Sequence, residues 1–242
     1  MQGDTLDSPQ ILENDELKKF DVIMANPPYS VKKWSQSKWM NDPFGRNIWG
    51  TPPQGCADYA FQQHIMKSLN PETGRCVVLW PHGVLFRDSE AEMRKRMIEE
   101  DYVDAVIGLG KNLFYNSSME SCLLVCRMKK PKERKGKIIF IDAKDELRIE
   151  RTNAWLEPQH IKKISDAYWK FIDVDGFITI VSNKDVLDNN GNMSLQLFVK
   201  QAANTNEHNT QDLIAEVKSN QKQIDNSLED LFNQLKKIGI EV

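Results

Sequence analysis

The chain has 242 residues, of which 40% are hydrophobic, and this is enough apolar material for one hydrophobic core. It contains 35 acidic and 32 basic residues and has a net charge of −3. A protein that binds nucleic acid without a partner is usually strongly basic, and this composition excludes that class. No long apolar stretch indicates a membrane span or a signal peptide, so the sequence predicts a soluble protein of the cytoplasm. The 4 cysteines lack metal-ligand spacing, and no metal site is expected.

The first predicted element is a short strand that ends in a rigid turn. Residues 20–25, FDVIMA, form an apolar run with one acidic interruption, which predicts a buried parallel strand. The turn that follows consists of Asn26, Pro27, Pro28 and Tyr29. Ligands bind at the carboxyl ends of the strands in open α/β sheets, so we expect a functional site at this turn.

The polar groups of this turn fit one kind of chemistry. Neither proline offers an N–H, so the turn presents carbonyl acceptors, and the Asn26 side-chain oxygen is a further acceptor. Two acceptors that bind both hydrogens of an exocyclic amine stabilise the positive charge that develops as its nitrogen attacks a methyl donor. Tyr29 can stack on a base taken out of a helix. The alternative is a proline-rich turn that only closes a strand, which accounts for the prolines but not for Asn26 or Tyr29.

A long irregular loop is predicted over residues 30–56. It contains Trp34, Trp39, Phe44 and Trp49, among other residues. Loops of this length are usually functional, and this one is either a flap over the substrate or a segment whose aromatic rings pin it to the core.

Helix and strand signals alternate after the loop. Apolar spacing predicts helices over 57–69, 89–100 and 157–171 and strands over 76–80, 103–109, 121–128 and 138–142. The two middle strands have no helix between them and are expected to pair antiparallel. The basic run over 129–137 is predicted to be a solvated loop. The fold class is therefore α/β, the second half of a doubly wound Rossmann-like sheet with a terminal antiparallel hairpin.

The end of the chain has a different pattern from the rest. After residues 1–200, a polar linker is predicted over 201–210 and a coiled-coil-like heptad helix over 211–242. Its seam repeats at spacings of three and four residues and consists of Ile214, Val217, Gln221, Ile224, Leu228, Leu231, Leu235 and Ile238. Such a seam predicts a helix that binds a partner, and the alternative is an amphipathic helix that lies on its own domain.

The turn at Asn26, Pro27, Pro28 and Tyr29 resembles the catalytic NPPY motif of amino-group methyltransferases that use S-adenosylmethionine. Five further blocks lie on either side of this motif, in this order along the chain: GDTL at 3–6, ADYAFQQHIMKSL at 57–69, PHGVLF at 81–86, VIGLGKNLFY at 106–115 and KGKIIFIDA at 135–143. Over about residues 3–200 this succession is similar to the methylation subunit of type I restriction-modification systems. The resemblance implies a methyltransferase fold and an adenine-specific DNA methyltransferase in which the four residues of the turn are catalytic.

The resemblance also implies binding residues outside the catalytic turn. Asp4 of GDTL would contact the cofactor adenine, and Asp58 would line the cofactor pocket together with Asn26. Phe114 would stack on the flipped base opposite Tyr29. The structural alternatives are a solvated acid for Asp4, a helix cap for Asp58 and core packing for Phe114.

The sequence has no glycine-rich cofactor turn before the NPPY motif. Only 25 residues precede Asn26, too few for the two strands and helices that carry such a turn and the acid that binds the ribose. We therefore expect the chain to be the carboxyl-terminal portion of a methylation subunit. The family implies DNA, a specificity subunit bound through the carboxyl-terminal helix, a second methylation subunit and a restriction subunit as partners. The alternatives are a non-catalytic interaction module derived from the enzyme and a protein glutamine N-methyltransferase.

Overall fold

A six-stranded mixed sheet forms the centre of the first part of the chain. The structure, a computed structural model, describes residues 3–114, 118–151, 153–200 and 210–237. The contacts divide the chain into two units, Met1–Ala202 and Ala203–Val242, and the sheet belongs to the first.

The first unit alternates between strands and helices along most of its length. Its strands are β1 (Leu12–Glu13), β2 (Glu16–Leu17), β3 (Val22–Ala25), β4 (Arg75–Pro81), β5 (Val103–Leu109), β6 (Ser121–Arg127), β7 (Lys137–Ala143), β8 (Arg148–Glu150), β9 (Asn153–Trp155) and β10 (Ile178–Ser182). Its helices are α1 (Gln36–Trp39), α2 (Asp58–Lys67), α3 (Ala91–Glu99), α4 (Pro158–Lys170), α5 (Asn183–Asp188) and α6 (Leu195–Phe198). Helices α2, α3 and α4 confirm the three predicted helices to within two residues at every end, which is the usual uncertainty of helix boundaries.

The sheet confirms the predicted α/β class and the predicted antiparallel hairpin. Its strand order is β10-β7-β5-β6-β4-β3. Strand β3 is parallel to β4, β5 is parallel to β7, and β6 lies antiparallel between β4 and β5. Strand β10 pairs antiparallel with β7 at the far side, so β7 is an interior strand. Two further pairs, β1 with β2 and β8 with β9, form small separate hairpins.

Apolar side chains cover both faces of the central strands. One face packs Trp80, Leu124 and Phe140 into a core with residues of α2 and α3, and the other face packs Ile107 and Ile139 against α4. All seven residues of β5 are buried, which is expected of a strand covered on both faces.

The predicted burial of the strand at residues 20–25 is wrong. The side chains of Val22 and Met24 are 48% and 82% exposed. The reason is that β3 is the last strand of the sheet and has only β4 as a neighbour among the described strands. The exposed side chains line an apolar cleft of about 350 Å³ between the sheet and α4, together with Leu123, Ile161 and Trp169. The apolar run therefore belongs to a strand at the edge of the sheet. Among the described residues, no strand pairs with its outer edge, and the face that carries Val22 and Met24 stays partly exposed.

The second unit contains helix α7 (Thr210–Lys237), which covers most of the predicted heptad helix. Its seam residues Ile214, Val217, Ile224, Leu228 and Leu231 are exposed within this chain. The predicted linker at 201–210 lies outside the described residues except for Thr210, which begins α7, and the last seam position, Ile238, also lies outside them. No helix in the described ranges is both long enough and apolar enough to cross a membrane.

We predict that the open edge of β3 makes this chain self-associate, because an unpaired apolar strand edge is a template for pairing with another chain. Replacing Met24 with Lys places a charge on that edge, and we expect the fraction of oligomer in analytical ultracentrifugation to fall. Met40→Lys is the matched control, since Met40 is also a methionine and is 64% exposed, but it lies outside the sheet. Equal association of Met24→Lys and the unmodified chain would contradict this prediction.

Candidate active site

The NPPY turn leaves β3 at the carboxyl edge of the sheet, beside the carboxyl end of β4. Ala25, the last residue of β3, pairs with Val78 of β4. The Asn26 and Pro28 side chains are exposed, whereas Tyr29 is partly buried. The predicted location of the turn is therefore confirmed, and its amide is accessible to a ligand.

A cavity of about 560 Å³ opens at this turn. It is lined by Asn26, Pro27, Pro28, Tyr29, Pro81, Phe114, Met119, Glu120 and Ser121. Its size lies within the range of small-molecule sites. The structure thus brings Phe114 into the same cavity as the four residues of the turn.

The cavity also contains residues that the sequence analysis missed. Met119, Glu120 and Ser121 stand at the amino end of β6. Because β6 runs antiparallel to β4, its first residue pairs with Pro81, the last residue of β4. The predicted antiparallel pairing was the available signal, since it places the start of β6 at the edge where β3 and β4 end.

Tyr29 and Asn26 are hydrogen-bonded to each other. The Tyr29 hydroxyl donates to Asn26 Oδ1 at 2.8 Å, and the ring lies 6.2 Å from the Trp80 ring, centroid to centroid, at a tilt of 48°. Burial raises the pKa of Tyr29, so its hydroxyl stays protonated and acts as a donor at neutral pH. A carbonyl oxygen has two lone pairs, so Asn26 keeps acceptor capacity for a ligand amine.

Asp58 holds the end of the turn. Its carboxylate Oδ1 accepts a hydrogen bond from the backbone N–H of Ser30 at 2.6 Å. Asp58 is the first residue of α2 and the N-cap position belongs to Ala57, so the helix-cap alternative for Asp58 is wrong. The side chain is fully buried, and its contact with the cofactor stays a prediction.

Asp4 lies in an exposed turn near the start of the described chain. Its Oδ1 accepts hydrogen bonds from the backbone N–H groups of Leu6 and Asp7 at 2.9 and 3.1 Å. The side chain therefore shapes the GDTL turn, and its contact with the cofactor adenine also stays a prediction.

Arg46 is a buried anchor that the sequence analysis missed. Its guanidinium donates to the carbonyls of Thr5 and Leu6 at 2.8 Å each and forms an ion pair with Asp42 at 2.6 Å. It also lies over the Trp39 ring at 4.7 Å. Arg46 thereby fastens the segment that carries GDTL to the loop at 30–56. The signal in the sequence was a pair of opposite charges four residues apart within an aromatic-rich loop.

The loop at 30–56 is attached to the core by its aromatic rings. Trp39 and Trp49 are buried, and Trp49 Nε1 donates to Glu100 Oε2 at 3.0 Å. Trp34 packs edge-on against Trp39, with centroids 6.0 Å apart. None of the residues 30–56, all of which the structure describes, lines the cavity at the turn. The structure therefore favours the core-pinning interpretation over a flap.

A mixed α/β sheet in which β3 ends in the NPPY turn and the antiparallel β6 lies between β4 and β5 is similar to S-adenosylmethionine-dependent methyltransferase folds. A solved methyltransferase subunit of a type I restriction-modification system from Streptococcus thermophilus is similar to this chain, with a TM-score of 0.74 and 33% identity. The match covers 81% of this chain and 41% of that chain. The family described as N-6 DNA Methylase matches residues 1–207, and the chain belongs to this family.

Curated relatives within the family are methylase subunits of type I restriction enzymes. The MjaVII methylase subunit of Methanocaldococcus jannaschii is 31% identical over 208 residues, which are 81% of this chain and 35% of the relative. The MpnII methylase subunit of Mycoplasma pneumoniae is 30% identical over 224 residues, 90% of this chain and 40% of the relative. The chain thus spans well under half the length of these relatives.

Proposed function

We propose that this chain carries the catalytic turn and the base pocket of a type I DNA adenine methyltransferase. The observation that carries this proposal is the cavity at the carboxyl edge of the sheet, which joins the exposed Asn26 amide to the rings of Tyr29 and Phe114. Polar acceptors and aromatic rings around one cavity suit a flipped base with an exocyclic amine. The named relatives are methylases of restriction systems that act on DNA, which favours DNA over a protein glutamine as the substrate.

The chain's own residues would prepare the adenine amine for attack. Asn26 Oδ1 and the Pro27 carbonyl accept one amine hydrogen each, while Tyr29 and Phe114 hold the ring. S-adenosylmethionine supplies an electrophilic methyl group when it is bound. The amine nitrogen would bond to the methyl carbon as the bond from that carbon to sulfur breaks, and one of the two protons on the nitrogen would then pass to solvent. No general base is required, because the acceptors stabilise the cationic nitrogen until it loses that proton.

The described residues fit the cofactor only in part. Asp4 and Asp58 are the candidate contacts, but one is exposed and shapes a turn, while the other is buried beneath the NPPY turn. The open edge of β3 is where a preceding half of the sheet would add its strands. We therefore propose that the chain acts together with the remaining portion of a methylase fold. The second candidate function is a non-catalytic interaction module. The open edge of β3 favours this candidate if no remaining portion of a methylase fold pairs with the chain.

We propose that the working complex lies in the cytoplasm and contains DNA, a specificity subunit, a second methylation subunit and a restriction subunit. The net charge of −3 supports a dependence on partners for DNA binding. The exposed seam of α7 supports a helical partner, which we propose is the specificity subunit.

Replacing Asn26 with Ala should lower methyl transfer to unmethylated DNA at least about 100-fold in the assembled complex, because one amine acceptor is lost. Radiolabel transfer from S-adenosylmethionine measures this rate. Tyr29→Phe is the matched control: it keeps the stacking ring, removes the hydroxyl that bonds to Asn26, and should stay within a few-fold of the unmodified complex. Full activity of Asn26→Ala would refute the proposed role of the turn.

Replacing Leu228 and Leu231 with Lys should abolish co-purification with the specificity subunit, because two charges would enter the apolar seam of α7. The control variant carries Ser219→Lys and Asn226→Lys, which add the same charge on the opposite side of the helix and should leave association intact. Unchanged circular dichroism would verify that the first unit is folded in both variants. Association that survives the seam substitutions would remove this partner assignment.

A further inference from the structure

A buried charged cluster lies directly beneath the NPPY turn. It consists of Asp58, Arg87, Glu90 and Cys56, and both carboxylates are fully buried. The cluster joins three parts of the carboxyl edge, since it connects the turn after β3, the start of α2 and the segment that follows β4. It lies next to the cavity, but its residues do not line that cavity.

The contact between the cluster and the turn is made at a strained backbone position. Ser30 has a left-handed backbone, with φ of 49°, which is uncommon for a residue other than glycine. Its N–H donates to Asp58 Oδ1 at 2.6 Å. Hydrogen bonds to a charged acceptor are shorter and stronger than neutral ones. The carboxylate therefore stabilises the backbone conformation that ends the turn immediately after Tyr29.

Arg87 holds Asp58 in place from the other side. Its Nη2 donates to Asp58 Oδ2, and its Nε donates to Glu90 Oε2 at 2.7 Å. Burial opposes the charge on Arg87, but its hydrogen bonds to Glu90 and Asp58 raise its pKa overall. A side chain at Gly83 would come within 3.0 Å of the Arg87 guanidinium, so glycine at this position leaves room for the arginine.

A metal ion is not the best explanation of this cluster, although its residue types include metal ligands. Cys56 Sγ and one oxygen each of Asp58 and Glu90 lie within 4.8 Å of one another. The Arg87 guanidinium already pairs with both carboxylates, and a cation would have to displace it. Burial, followed by the hydrogen bond to Asp58, raises the pKa of Cys56 to about 12, which keeps the thiol protonated rather than ready to bind metal.

We infer that Asp58 is a positioning residue for the methyl-transfer reaction. It fixes the Ser30 backbone, and through it the direction of the Pro27 carbonyl and the Tyr29 ring, while Arg87 keeps the carboxylate in place. The inference rests on the proposed function, and it differs from a direct contact between Asp58 and the cofactor. A cofactor contact predicts weaker binding of S-adenosylmethionine, whereas a positioning role predicts slower chemistry with unchanged cofactor binding.

The first test compares Asp58→Ala with Asp58→Asn in the assembled complex. Asp58→Ala removes the acceptor for the Ser30 N–H, and we expect kcat to fall about 100-fold while the KM for S-adenosylmethionine stays within about 3-fold. Asp58→Asn keeps an acceptor oxygen and should recover most of this loss. A raised KM with unchanged kcat in Asp58→Ala, or equal losses in both variants, would overturn the inference.

Asp104→Asn is the matched control for the loss of a buried charge. Asp104 is fully buried and pairs with Arg127 and Arg134 at the start of β5, the opposite edge of the sheet from the turn. We expect it to lower the melting temperature and to leave kcat per folded complex unchanged. A kcat loss like that of Asp58→Ala would show that any buried ion-pair defect slows the reaction, and would overturn the inference.

The second test needs no enzymatic activity and uses this chain alone. Pro27 and Pro28 have no amide hydrogen, so hydrogen–deuterium exchange in a peptide over 26–30 reports few amides besides that of Ser30. Asp58→Ala should accelerate exchange there at least about 10-fold, and Asp58→Asn should do so less. Unchanged exchange would refute the positioning contact. If only the proposed function fails, the unmodified complex would be inactive, whereas Asp58→Ala would still accelerate exchange in this peptide.

Discussion

Among the described strands β3 pairs with β4 alone, and this pairing positions the NPPY turn. Parallel pairing with β4 carries the NPPY turn to the carboxyl edge of the sheet, where the antiparallel β6 brings further cavity residues. The other edge of β3 is unpaired among the described strands, and Met24 is left exposed there. The same strand therefore leads into the proposed base pocket at its carboxyl end and has one edge that no described strand pairs with.

Charge pairs with buried carboxylates connect the irregular segments around this edge. Asp58 and Arg87 hold the end of the NPPY turn, and Asp42 and Arg46 fasten the loop at 30–56 to the GDTL segment. A buried ion pair contributes little net stability, because desolvation offsets the attraction, but removing one partner leaves an uncompensated charge and is costly. Such pairs therefore suit segments that lack the regular hydrogen bonds of helices and strands.

The sequence predicted the regular elements better than it predicted the packing. Periodicity located helices α2, α3 and α4, and the missing helix between β5 and β6 indicated their antiparallel pairing, because these signals are local. Strand β10 was missed, and the burial of the β3 strand was overestimated, since an apolar run does not show which neighbours a strand has. The basic run at 129–137 was expected to be solvated, yet Lys130 and Arg134 are buried and pair with Asp101 and Asp104. The NPPY turn was found because its chemistry lies in consecutive residues. Arg46 and Arg87 each have one local acidic partner, but they were not recognised as anchors, because the contacts that join separate segments involve distant parts of the chain.

We propose that this chain carries the catalytic turn but lacks a sufficient binding site for the cofactor. Calorimetric titration of S-adenosylmethionine into the chain alone measures this, with the methyltransferase subunit of Streptococcus thermophilus as the positive control. No saturable heat is expected for the chain at millimolar ligand, and a saturable isotherm is expected for the control. A saturable isotherm for the chain alone would show that its own residues suffice to bind the cofactor.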